Sequence, residues 1–288
     1  RRIINSGNGT GTTTISGKVG SNPTALVQNS ASSPMVVSGN MSDFSGDFVL
    51  NSGRITVSSG GSMLKPFGIN QAANTIFQMD AGTNYNIDAI SSAAGSQLIF
   101  GSGLFPTNLN FTDTVDTTIA GAVTMAGSGT INVVKNGVSN WTLQTGVAYN
   151  GSTTINQGSI IISGSNPVEV FADRGAVTLA NASGVLLNIN GNTETIGSLA
   201  GGGLLGGNVN LGTGTLITGE NDQNTTFAGV ITGVGGSLTK TGNGSLRLTN
   251  ANTFDKLLKI TSGSVILDRA GGGTLADSVD VAVSGGSL

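Results

Sequence analysis

The chain has 288 residues, of which only 9% are charged and 5% aromatic, while glycine occurs 47 times. Fifteen acidic residues against twelve basic ones give a formal charge of −3 and a pI near 4.8, which leaves no electrostatic footprint for nucleic acid or an anionic membrane. Cysteine and histidine are both absent, which excludes disulfides, thiol catalysis and hydrolytic triads and leaves no ordinary zinc ligand set.

At the N-terminus, Arg1-Arg-Ile-Ile4 runs directly into a polar, glycine-rich stretch, so it does not read as a signal peptide. Further on, Phe44 to Leu50 and Arg54 to Val57 read as two apolar-alternating strands about a glycine turn. From Thr117 onward the spacing predicts short strands at Thr117 to Ile119, Thr130 to Val134, Trp141 to Leu143, Ser152 to Ile155, Ser159 to Ile162, Ala176 to Leu179, Val185 to Ile189, Val209 to Leu211 and Gly214 to Thr218. Gly, Asn, Ser and Thr clusters separate them, and no helix of three turns can be placed anywhere. No apolar run approaches the roughly 18 residues of a membrane-spanning helix.

One block recurs without gaps. Phe44 to Val57 matches Tyr149 to Ile162 and Phe254 to Leu267, each 105 residues after the last. The matched positions are turn glycines and apolar residues: Leu50, Ile155 and Ile260, then Ile55, Ile160 and Val265, then Val57, Ile162 and Leu267. What recurs is a backbone template, and these triplets are expected to be stacked core positions. The wider unit includes Thr13 to Gly17, Thr117 to Gly121 and Thr225 to Gly229, and pairs Lys135 and Trp141 with Lys240 and Leu246.

A period this long must contain several smaller turns, since solenoid repeats run to about 20 to 50 residues. Short strands with little sequence between them exclude a doubly wound sheet, and gapless repetition favours a solenoid over a closed sandwich or barrel. The reading is all-β, a right-handed parallel β-helix with about three strands per coil. It makes one continuous domain over 1–288, with repeats at about 10–113, 114–221 and an incomplete 222–288, belonging to a longer chain. At roughly 20 to 25 residues and about 4.8 Å per coil, 12 to 14 coils are expected.

The stretch Asn224 to Phe254, with its core Thr225-Thr-Phe-Ala-Gly229 and Leu238-Thr-Lys-Thr-Gly-Asn-Gly-Ser-Leu-Arg-Leu248, resembles the autotransporter-associated β-strand repeat of bacterial autotransporter passengers. Asn188 to Gly203 resembles the segment that precedes it. This resemblance implies a right-handed β-helix exported through the outer membrane to the cell surface or beyond, serving as an adhesin or a stalk. One departure is Asp255-Lys-Leu-Leu258, which replaces the family's Gly-Gly-Thr-like turn and predicts a locally different turn.

β-Helix enzymes acting on polysaccharides need converging carboxylates or carboxylate-bound calcium. The nearest sets are Asp113 with Asp116, Glu220 with Asp222, and Glu169 with Asp173 and Arg174; all read as turn residues. Asp173-Arg174 and Asp268-Arg269 read as surface ion pairs, and Lys135 and Lys240 as solvated turn residues. Gly271 to Asp277 lacks the spacing of a calcium-binding nonapeptide, and Trp141 and Tyr149 read as apolar anchors because Leu246 and Phe254 occupy the same register.

No catalytic, cofactor or metal residues are therefore assigned. The expected role is a non-enzymatic extracellular or cell-surface passenger segment, an adhesin or structural filament. A carbohydrate-active enzyme or a phage fibre or spike is the alternative. Ladders of Asn, Ser and Thr would give a nearly neutral, amide-rich surface. That surface suits glycans, host or neighbouring-cell surfaces, or self-association through sheet faces or coil ends, and neither nucleic acid nor membrane insertion.

Overall fold

In the computed structural model, every residue is described except 59–62, 83, 103–106, 148 and 165–169. The described strands pair in parallel, apart from one isolated antiparallel bridge between Gly203 and Gly206. The parallel coils, about 12 of them, make a β-solenoid. Among the described residues the helical content is a single 3-10 turn at Arg269–Gly271. Two compact units are formed, one from Arg1–Val133 with Val147–Tyr149, the other from Val134–Gly146 with Asn150–Leu288.

In the first unit, one side is laid down by strands Arg2–Asn5, Ala25–Gln28, Asp47–Leu50, Phe67–Gln71 and the second half of Asn84–Ser92. Another consists of Thr13–Ile15, Met35–Val37, Arg54–Val57, Ile76–Gly82, Gln97–Ser102 and Ala122–Ala126. Early in the unit the third side has no regular strand among the described residues: Val19, Met41 and Met63 fill it from irregular backbone, and all three are buried. It becomes a ladder only where the first half of Asn84–Ser92 pairs with Thr107–Phe111.

In the second unit the coils between Ala176 and Lys240 have three strands each, as in Thr215–Thr218, Thr225–Phe227 and Ile231–Thr232. Coil length varies from 19 residues, where Trp141 lies beside Ile160, to 27, where Ile160 lies beside Leu187. Corners absorb the variation, because a solenoid needs register only along its strands.

Alternation explains why these residues fold this way. Apolar side chains at every second position turn inward and meet their counterparts one coil on: Leu26, Phe48, Ile69 and Ile90 form one column, and Met35, Ile55, Phe77, Leu98 and Val123 another. Phe48 packs edge-on to Phe67 with ring centroids 5.6 Å apart, and against Phe77 at 4.9 Å. In the second unit the column is Leu216, Leu238 and Leu258, with the exposed Val281 in register beyond it. Each full burial contributes about 1.5–3 kcal/mol, so the columns dominate a chain with few charges.

Of the nine repeat residues expected in the core, eight are at most 1% exposed; Leu267 is only half-buried. Their immediate neighbours are not one another. Leu50 lies between Gln28 and Gln71, and Ile260 between Lys240 and Val283. The repeat spans several coils, so its copies recur at the same place in the template without touching.

Strands at Thr117–Ile119, Ser159–Ile162 and Ala176–Leu179 have the bounds the spacing predicts, and the other six predicted strands shift by one residue at either end. Ala122–Ala126, Thr193–Ile196 and Ser198–Gly201 were not anticipated. In Thr193–Ile196 a glutamate occupies an inward position, which breaks the apolar alternation. Ser198–Gly201 ends in a glycine with φ +86°, which reads from sequence as a turn.

Candidate functional site

Lys135 and Lys240 overturn their expected solvation, being 0% and 1% exposed. Each ends a strand at an inward position. Lys240 falls in the column of Ile196, Thr218 and Ile260. The aliphatic stem packs in the core and the ammonium bends back to the next turn. Lys240 Nζ donates to the carbonyls of Thr241 and, at 3.0 Å, Gly242. Lys135 Nζ donates to the Gly137 carbonyl and to Ser139 Oγ at 3.3 Å, and lies 5.8 Å from the Trp141 ring centroid. Burial pulls the Lys240 pKa down from its ordinary 10.5, opposed by the negative charges of Asp222 and Glu220. These lysines are internal turn clamps.

The carboxylates divide rather than converge. Asp113 is fully buried while Asp116 is exposed. Asp222, in the left-handed region at φ +60°, accepts the Asn243 N–H at 2.7 Å and so ties one corner to the next. Asp173 and Arg174 are exposed, and Glu169 lies outside the described residues. Asp268 pairs not with its neighbour Arg269 but with Arg247, one coil earlier, at 2.8 Å. That hydrogen bond, helped by the Gly271 N–H, lowers the Asp268 pKa. Among the described residues no three carboxylates gather where they could hold a metal ion.

Glu194 is a buried group that the sequence reading missed. It is 0% exposed, beside Leu216 in the register. Its two oxygens accept the backbone N–H groups of Val170 at 2.9 Å and Phe171 at 2.7 Å. The only sequence signal was a charged residue inside a Thr-Glu-Thr-Ile strand pattern. Trp141 and Tyr149, 3% and 8% exposed, are buried as the register predicted. The altered turn at Asp255 is held by its carboxylate, which accepts the Gly235 N–H at 2.5 Å, while Leu258 is fully buried.

What remains outward is mostly polar, with scattered apolar exceptions among the described residues, such as Leu64, Val115 and Val234, and the most exposed of them at one corner. The corner Gly202–Gly207 carries Leu204 and Leu205, 94% and 70% exposed. Gly203 N–H donates to the Gly206 carbonyl at 2.9 Å, and Leu205 N–H to Asn181 Oδ1 at 2.9 Å. A Cβ on Gly206 would stand 1.9 Å from the Ala182 carbonyl oxygen, so glycine is required for this tip to rest on the coil below. The faces between corners carry outward Thr, Asn and Ser, such as Thr193 and Thr215 in one register.

No family model matches the chain, and no solved structure matches it. It is similar to the Adhesin BmaC autotransporter of Brucella suis biovar 1 (strain 1330), 30% identical over 267 residues. The match covers 88% of this chain but only 7% of that relative's length. A parallel β-solenoid whose sequence runs through most of its length alongside an autotransporter adhesin is a segment of the autotransporter-passenger type.

Proposed function

We propose that the chain is a non-enzymatic part of a cell-surface or secreted adhesin, exported across the outer membrane, which makes contact through its outward sheet faces and corners. The likeness to an autotransporter adhesin over 88% of the chain carries this reading. The disposition of the ionisable groups supports it. Lys135, Lys240, Glu194 and Asp222 are all engaged with turn backbone, where a β-helix enzyme would aim such groups into a shared groove.

Beads coated with the purified chain, washed over immobilised animal-cell and bacterial-cell surfaces, test adhesion directly. Retention above that of albumin-coated beads is the expected result, and equal retention on every surface would sink the adhesive reading. The non-enzymatic part has its own check. Neutral and acidic polysaccharides incubated with the chain should keep their viscosity and release no new reducing or unsaturated ends.

A further inference from the structure

We propose that one face of the first unit, a two-column array of asparagine amides, is a docking site for a neutral polysaccharide chain; this deepens the adhesin reading and rests on it. The array comes from three consecutive coils. Strand Asn84–Ser92 pairs with Thr107–Phe111 so that Asn84 stands beside Asn108 and Asn86 beside Asn110. Asn132 continues the first column, its Nδ2 donating to Asn108 Oδ1 at 3.0 Å. In the second column Asn110 Nδ2 donates to Asn86 Oδ1 at 3.2 Å. Columns two residues apart along a strand stand about 6.6–6.8 Å from each other, and rows about 4.8 Å.

The face is backed by the core. Tyr85, Ile87, Leu109, Phe111 and Ile131 alternate with the asparagines and are buried, and Tyr85 also donates its hydroxyl to the Asp80 carbonyl at 2.7 Å. Asn84 is exposed and the other four are half-buried, so the amides line the surface.

Asparagine is among the residues depleted from strands, where Thr and Val are preferred. Five of them at outward positions of three adjacent strands break the local rule repeatedly in one place, which is the mark of a site kept for function. Elsewhere the outward strand asparagines Asn188, Asn208 and Asn210 have backbone duties, and the amide–amide pairs Asn29–Asn51 and Asn136–Asn156 stand just past strand ends. Asn188 accepts the Asn190 N–H, Asn210 the Gly212 N–H, and Asn208 the Val230 N–H. Among the described residues Asn86, Asn108 and Asn110 bond instead to one another or to Asn132.

Each amide offers two N–H donors and a carbonyl with two lone pairs. The single bond between Asn86 and Asn110 consumes one donor and one lone pair, leaving that pair three N–H groups and further acceptor capacity toward solvent. Sugar hydroxyls, each both donor and acceptor, match this directly. The five side chains carry no charge, so acidic polymers gain no ion pairing, and because the described aromatic rings are buried each sugar is held weakly, by amide hydrogen bonds. Affinity then grows with the number of sugars laid along the columns.

Affinity electrophoresis of the whole chain through gels containing hydroxyethylcellulose, dextran or galactomannan tests the site, with alginate as the acidic counterpart. At least one neutral polymer is expected to retard the chain. The double substitution Asn86→Thr/Asn110→Thr, which keeps strand propensity and removes the amides, should weaken that retardation at least about fivefold. Circular dichroism should remain unchanged, and Thr215→Val in the second unit should bind as the parent does. If the double substitution fails to fold, Asn108→Thr serves the same comparison. Retardation by none of the neutral polymers, by alginate alone, or equally in the asparagine variants would overturn the proposal. Should beads still adhere to cells in that event, the adhesin reading stands and the asparagine face alone is refuted.

Discussion

Lys240 shows how a buried charge serves a chain that has few charges to spend. The cation replaces an aliphatic residue in a core column, and its ammonium satisfies two turn carbonyls that would otherwise face the interior. Because burial depresses its folded-state pKa, the unfolded chain binds more protons between that value and the ordinary 10.5. Stability contributed by this residue therefore rises with pH across that alkaline window. Lys240→Met should abolish the rise, seen as chemical-denaturation midpoints that no longer climb toward pH 10.5. Glu194 is the anionic counterpart. Glu194→Ala strands the N–H groups of Val170 and Phe171 and should cost about 2–3 kcal/mol, with new protease cleavage near Phe171; unchanged stability would mean that these hydrogen bonds contribute nothing net.

Strands in this protein are short, and corners fix where each begins. At the first-unit corner following Asn5, Gln28 and Gln71, amide side chains turn inward to bond backbone: Asn5 and Gln28 both donate to the Ser33 carbonyl, and Gln71 to that of Gln97. The corner at Gly158 is closed differently. With φ +67°, a Cβ there would meet the Ser139 carbonyl at 2.2 Å, next to the turn that Lys135 clamps. Gly158→Ala combines left-handed strain with a backbone clash and should lower stability by about 2 kcal/mol or more, read by thermal melting. Ile160→Asp acts on the strand itself. It puts a carboxylate between Trp141 and Leu187, and hydrogen exchange across Ser159–Ile162 should accelerate toward that of exposed loops.

At the scale of the whole molecule, cohesion comes from apolar columns and backbone ladders, with ion pairs in a minor role. The ion pairs of Lys18 with Asp43 at 2.6 Å and of Arg247 with Asp268 at 2.8 Å lie at the surface, where such contacts are worth little and are screened by salt. Melting temperature should therefore move by no more than about 2 °C between 50 mM and 1 M sodium chloride, a comparison that a large salt-induced fall would refute.

The parallel coiling, the absence of long helices and most strand positions were legible in the sequence because inward positions must be apolar and alternate with outward ones. That requirement is local and periodic, and it leaves its trace in the nine strands predicted between Thr117–Ile119 and Thr215–Thr218. Polar residues carry no such trace. Lys135 and Lys240 read as solvated, and Glu194 drew no notice, because a charged residue is tolerated inside only when a particular backbone group waits for it in another turn or coil. The asparagine array was hidden for a related reason. Asn84, Asn108 and Asn132 are 24 residues apart in turn, and only the register of the coils brings them into one column. Sequence periodicity thus determines which way a side chain faces, whereas the tertiary stacking decides which side chains meet, since partners in a solenoid are set by the length of the turns between them.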